Sequence, residues 1–470
     1  MGIARRQVLK ALASSAAAAL TMKVAPRSAQ ALGNAVQRDV CIIGGGSAGT
    51  YAAIRLRDLG RSVVVLERSE RLGGHAETFR ASPSDPPIDI GVIIFPDNPL
   101  VRGYFGRFSV ALAASPVGGG GTSQFVDFRS GQPVAAFNPS PQEVGAGLVA
   151  YLQLLTTRYG FLEQNGYRLP GPGPVLEELL LPFRQFTEQF GLTAILPRFF
   201  QFEQGFGSLL DVQSLYILKN MSAEVVRAAL TGGFLRVPQG VGALYDAATA
   251  ELADDLMFGA SVRLVRRDRE GVRLLVQTPE GLRVVHCKKL VVTAPPTLEN
   301  FAGFDLDLTE LATFARFRRN HYWTAVARVN GAPPGMSFTN AAPETPYNIA
   351  PLPGIYSVGP SPTPGLMNVK YGSEQHLFDT QVRTNIRRDI ERVNVSGVGP
   401  LRFDGFATFK NHSPYALMAS RDDIRRGFYA RLEGLQGRSR TYYASAAFQT
   451  HNSAAIWAYI EELLPRLTAV

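Results

Sequence analysis

The spacing of apolar and polar positions changes period several times within the first seventy residues. Asp39-Val40-Cys41-Ile42-Ile43 is a short apolar run with no helical spacing, which predicts a buried parallel strand. Over residues 47–59, Ala48, Ala52, Leu56 and Leu59 recur on one side at helical spacing, and Gly60 is a good stop. Residues 62–66 (Ser-Val-Val-Val-Leu) then predict a second strand. Strand, helix and strand in so short a span begin a doubly wound α/β unit. Further along, residues 144–159, 175–190 and 221–230 carry helical spacing. Residues 260–266, 272–278 and 289–294 read as strands. Residues 301–400 mix short strands with Pro-rich turns around 351–364, as expected of a sheet flooring a cavity.

The turn between the first strand and helix carries chemistry. Gly44-x-Gly46-x-x-Gly49 has the dinucleotide spacing, and each glycine has its own task. Gly44 permits the tight turn, Gly46 lets backbone approach a pyrophosphate, and Gly49 lets the helix pack closely on the sheet. Ser47 and Ala48 open that helix, whose free N–H groups and positive dipole end suit phosphate. Glu67 ends the second strand, 18 residues after Gly49, where a carboxylate accepts from a ribose hydroxyl pair. It would repel a phosphate on that ribose, so FAD or NAD is expected over NADP.

The next residues, Glu67-Arg68-Ser69-Glu70-Arg71-Leu72-Gly73-Gly74-His75, resemble the second motif of the superfamily of flavin amine oxidases, phytoene desaturases and protoporphyrinogen oxidases. The resemblance spans nearly all of the chain after residue 31. It implies an α/β fold: a Rossmann-like FAD-binding domain of the amine-oxidase type with an inserted mixed α+β substrate domain. Arg68, Arg71, Gly73, Gly74 and His75 would lie along the cofactor, with Arg71 offsetting phosphate charge. Residues 88–95 would form a strand placing Gly91 and Val92 beside the isoalloxazine. Val262 would lie near the adenine, and the strand through Ala294 would rejoin the cofactor sheet. The closing segment from Thr441 through Phe448 and Ser453 to Trp457 would aim a helix N-terminus at the flavin's pyrimidine end. The implied domains are 32–117, 232–300 and 401–470 for FAD and 118–231 with 301–400 for substrate.

Amine oxidases usually carry Arg after the Gly-Gly pair, whereas this chain has His75. Together with His412-Ser413-Pro414-Tyr415, Gly427-Phe428-Tyr429 and Leu435-Gln436-Gly437, it resembles a narrower group. That group includes bacterial polyenoic fatty acid isomerase and fungal β-cyclopiazonate dehydrogenase. The implied activity is FAD-dependent removal of hydride from a small apolar substrate, ending in oxidation or double-bond isomerisation. Two alternatives are carried: an amine or amino-acid oxidase releasing peroxide, and a non-catalytic flavin- or NAD-binding redox protein. His75 is expected to contact the cofactor, and His412 and His451 to be hydrogen-bonding residues near it. No Ser–His–Asp set or carboxylate pair is placed for acid–base work, so no catalytic residue is named; flavin chemistry asks the protein mainly to orient substrate. Pro197 to Phe202 and Phe206 concentrate aromatic residues, read as core between helices or as an apolar tunnel wall with Arg198 available for a carboxylate.

Charge matters less than it first does. The net +9 is largely contributed by residues 1–31, which hold Arg5, Arg6, Lys10, Lys23 and Arg27 and no acid. The remaining +4 is too weak and dispersed for a nucleic-acid surface. Arg5-Arg6-Gln7-Val8-Leu9-Lys10, the mildly apolar stretch 11–22 and Ala29-Gln30-Ala31 resemble, in order, a twin-arginine export signal with its cleavage site. An exported, periplasmic or secreted protein is therefore expected, handled by the twin-arginine machinery and without a stable membrane span. The six His and two Cys show no metal-ligand spacing. Cys41 is expected in the core; Cys287 ends a strand-like segment and is open to exposure, and a disulfide between them has no support in the sequence. Gly118–Gly121 reads as a surface turn.

Overall fold

Two seven-stranded sheets organise the computed structural model, which describes residues 35–115, 122–395 and 398–469. The twin-arginine-type leader at 1–31 and the glycine run 118–121 lie outside the described residues. The first sheet runs Leu256–Met257, Val63–Leu66, Val36–Ile43, Gly281–Val292, Val272–Thr278, Ser261–Arg267, and Thr441–Tyr443 also pairs with Gly281–Val292. Val36–Ile43 lies parallel to both neighbours, and its inner residues Val40, Cys41 and Ile42 are fully buried. That burial on both faces explains why the run is continuous in apolar character rather than alternating. The helix Ser47–Asp58 covers one face, and the C-terminal helix Ser453–Thr468 packs against it.

The second sheet runs Arg402–Asn411, His321–Asn330, Leu366–Ser373, Gly354–Pro360, Ser337–Asn340, Ser123–Asp127, Gln132–Pro133. Its outer face holds Trp323, Ala325, Val369 and Tyr371 under the helix Asp379–Arg392, whose Val382, Ile386 and Ile390 complete a separate core. Its inner face, marked by Val326 and Leu366, closes over Ile88 and Ile90. A helical lobe from Pro141 to Thr231 encloses the remaining side.

Four expectations change. The helix expected over 175–190 breaks into Pro174–Leu180 and Phe183–Gln189, because Pro182 has no N–H and forces Leu181 into extended backbone. Residues 88–95 do not form one strand; only Ile88–Asp89 and Phe95–Pro96 are strand, with Gly91 turned tightly between. Arg402–Asn411 pairs with His321–Asn330, so the boundary drawn at 401 falls a strand too early. Cys287 lies inside a strand and is buried, and both cysteines are free.

Candidate active site

The fingerprint glycines are held by different constraints. A Cβ on Gly49 would sit 1.8 Å from the Gly44 carbonyl oxygen, so helix and strand could not pack. Gly44 has φ +100, which disfavours a side chain. Gly46 has neither constraint: its φ is −70, and the nearest atom to an added Cβ is the Gly74 Cα at 3.8 Å. The protein leaves open the space that Gly46 keeps clear. The helix behind it starts with no side-chain cap and no acid in its first turn, leaving the N–H groups of Ser47, Ala48 and Gly49 free for an anion. Trp457 Nε1 donates to Ser47 Oγ at 3.0 Å, which docks the start of the C-terminal helix, Ser453 onward, beside the same opening. The Tyr245 ring packs on Gly73, and its buried hydroxyl lacks a partner among the described residues.

Glu67 lies at the end of its strand and accepts from the backbone N–H of Gly45 (2.6 Å) and Ser69 (2.8 Å). The Gly259 and Ala260 N–H groups donate to Ser69 and Glu67 carbonyls, which carries Val262 alongside. Thr293 donates to the Gly44 carbonyl at 3.0 Å, seating Ala294 behind the glycine turn. Arg71, expected beside phosphate, also has partners within the protein. Its guanidinium donates to the carbonyls of Leu72, Gly74 and Ala76 and to the Glu77 carboxylate at 2.6 Å, so it holds the loop together. Arg68 is exposed and has no protein acceptor among the described residues. The Phe448 ring is buried and stacked on Tyr443 at 5.4 Å.

Beyond the cradle, Gly73 (φ +103) and Gly74 (φ +55) turn the chain so that His75 enters a shared aromatic wall. Gly91 lies against the His75 carbonyl so closely that a Cβ would stand 1.6 Å from it, with Val92 following. The His75 ring is 4.5 Å from His412 and 5.9 Å from Tyr415, which stacks on His451 at 4.0 Å. His75 keeps accessible surface, yet protein surrounds it closely enough that desolvation, helped by Arg68 and Arg71, lowers its pKa to about 4. His75 is thus exposed with protein close on several sides, as at the wall of a recess. Burial lowers His451 to about 3 and holds His412 well below its usual value. All three imidazoles are therefore neutral at pH 7. Burial pushes Glu203, nearby on the helical lobe, up to about 8, so its carboxyl is protonated at that pH.

The second sheet completes the wall with residues that sequence reasoning missed. Thr324 Oγ1 donates to the Ile90 carbonyl at 2.7 Å and lies 3.3 Å from His412 Nε2. The Tyr322 ring stands 5.0 Å from Tyr415, and the Tyr356 hydroxyl accepts from the Gly205 N–H at 3.1 Å. The alternation in His321–Asn330 was the available signal, since Tyr322, Thr324 and Val326 share one face. In the aromatic segment 197–206, Phe199, Phe200 and Phe206 are buried, and the Phe206 ring meets Tyr415 at 6.3 Å and His451 at 5.5 Å edge-on.

Comparison with known proteins agrees with this geometry. Residues 47–323 match the family described as flavin containing amine oxidoreductase. The chain is 33% identical to the FAD-dependent oxidoreductase oblC of Cochliobolus heterostrophus over 92% of each chain. It is 29% identical to the β-cyclopiazonate dehydrogenase of Aspergillus oryzae over 92% of this chain and 94% of that one. Among solved structures, the fatty acid isomerase from P. acnes that produces CLA superposes with TM-score 0.73 at 20% identity. It covers 92% of this chain and 99% of its own, a likeness of fold.

Proposed function

We propose that this chain, which belongs to the flavin-containing amine oxidoreductase family and is an FAD-dependent oxidoreductase enzyme, takes hydride from an apolar carbon skeleton rather than from an amine. The supporting observation is the uncharged wall: three neutral imidazoles, Tyr415, Tyr322 and protonated Glu203 offer an ammonium group no counter-ion. FAD, when bound, supplies the hydride acceptor. The Gly46 opening and the first-turn N–H groups of Ser47, Ala48 and Gly49 suit its pyrophosphate. Glu67 is positioned for a ribose, with Val262 beside it, and Arg68 is the cation free to approach phosphate. Gly73, Gly74, His75, Gly91, Val92, Ala294 and Ser453 complete the cradle around the flavin end. The neutral rings hold the substrate in a water-poor space and need carry no proton themselves.

Net dehydrogenation and net isomerisation differ in whether the hydride leaves or returns to another carbon. Anaerobic mixing with polyunsaturated free fatty acids, cyclic secondary amides and simple amines, followed in the visible flavin bands, tests the reading. Bleaching or band shifts with the carbon substrates, and product mass unchanged or lower by two hydrogens, are expected. Bleaching by amines alone, with peroxide released in air, would restore the amine-oxidase reading. The twin-arginine-type leader adds that the folded, cofactor-loaded protein is exported; replacing Arg5 and Arg6 by Lys should then retain it in the cytoplasm.

A further inference from the structure

Lys370 is a cation enclosed in the protein without compensation. Desolvation alone lowers its pKa; no carboxylate and no hydrogen-bond acceptor acts on it among the described residues. Its position follows from strand parity. In Leu366–Ser373, Met367, Val369 and Tyr371 point into the core behind the second sheet, while Leu366 packs with Val326 on Ile88 and Ile90. Lys370 therefore shares the inner face with Leu366. It is directly paired with Thr324 on one side and Ser357 on the other. Thr324 touches His412, which touches His75, so the ammonium stem starts one residue away from the site wall. It keeps part of its surface accessible, while its neighbour Thr324 is buried.

Lys410 provides the internal control. It also pairs with Thr324, from the opposite neighbouring strand, and there the protein supplies its own counter-ion, Glu77 at 2.7 Å. An unpaired ammonium inside a protein is unfavourable, and a leucine or methionine would fill the same place without that cost. Its presence is explained if the missing counter-ion arrives with a ligand. We propose that Lys370 is the anion anchor of the substrate cavity, receiving the carboxylate of an otherwise apolar acid whose tail runs along the neutral ring wall. The proposal rests on the apolar-substrate reading above and narrows it to monocarboxylates. A cation at this place also repels ammonium substrates.

Calorimetric titration of the FAD-loaded protein with decanoate, decanol and decylammonium tests it, using wild type, Lys370→Met and Lys370→Arg. Wild type should bind decanoate at least tenfold more tightly than decanol and decylammonium weakest. Lys370→Met should bind acid and alcohol alike, and Lys370→Arg should keep the preference. Equal binding of acid and alcohol by wild type, a preference surviving in Lys370→Met, or no binding of any probe overturns the anchor. Loss of FAD from Lys370→Met would assign the lysine to the cofactor and overturn it too. These outcomes stand apart from flavin bleaching, which reports on hydride removal whichever group holds the substrate.

Discussion

Two regions of the molecule each take a cation out of water, and they handle it differently. At the edge of the first sheet, the Arg267 side chain is 1% exposed and Glu310 0%. Its guanidinium makes a two-pronged contact with Glu310 at 2.7 Å, bonds Asp305 at 2.7 Å, and Tyr443 donates to Glu310 as well. Every donor has a protein acceptor, which is the condition under which a buried ion pair is tolerated. On the inner face of the second sheet, Lys370 has none among the described residues. The first arrangement joins the strand Ser261–Arg267, the helix Leu308–Phe314 and the C-terminal strand into one body. The second leaves a charge whose balance depends on what enters. A satisfied buried charge thus marks architecture, and an unsatisfied one beside a cavity marks a binding site.

The contrast can be broken most directly at Glu310. Glu310→Gln leaves the buried Arg267 with Asp305 as its one remaining carboxylate and should cost about 3 kcal/mol in urea unfolding; a loss under 1 kcal/mol would dissolve the distinction. The glycines sharpen it next. Gly46→Val should leave the melting temperature of the FAD-free protein unchanged while abolishing flavin retention, read as the ratio of visible to ultraviolet absorbance. Gly49→Ala should fail in both measurements, because its Cβ meets the Gly44 carbonyl. A yellow Gly46→Val protein would remove the pyrophosphate from this opening.

The histidine wall gives a smaller, pH-dependent effect. His75 and His451 have folded pKa values of about 4 and 3, below the ordinary 6.5 of the unfolded chain. Their contribution is fully present above pH 6.5 and is lost as pH falls, since the unfolded chain then takes up protons that the folded one refuses. The slope is at most about 1.4 kcal/mol per pH unit for each ring, and less for His75, which keeps accessible surface. Glu203, raised to about 8, acts in the opposite sense between pH 4.5 and 8. Replacing His451 by Asn should therefore flatten the fall in melting temperature between pH 6.5 and 4. The smallest change expected is a gain of about 1 kcal/mol in Lys370→Met, from deleting an unpaired charge. A loss of stability there would mean that Lys370 has a structural partner after all.

Local features were legible in the sequence, and those requiring strand pairing were not. Gly44, Gly46, Gly49 and Glu67 are fixed by a turn and the strands flanking it, so spacing alone brought them together. His75, His412, His451 and Tyr415 came from motif resemblance, and they do meet. The bonds of Arg71 to the backbone carbonyls of its own loop were not legible, because no side-chain pattern announces them. Tyr322, Thr324 and Lys370 reach the site only through the register of His321–Asn330 with Leu366–Ser373, a pairing across more than forty residues. The misplaced boundary at 401 has the same origin, since Arg402–Asn411 joins a partner some eighty residues earlier.

The bond from Trp457 to Ser47 joins residues 410 positions apart. The first sheet is likewise built from Val36–Ile43, Gly281–Val292 and Thr441–Tyr443. Such distant pairings place this protein among slow folders, because loops must close before contacts reward them. During synthesis the glycine turn leaves the ribosome early and waits for a partner that arrives almost last. FAD can therefore be captured firmly only once the chain is nearly complete, and a nascent chain stalled before Trp457 would carry the fingerprint without the power to keep its cofactor.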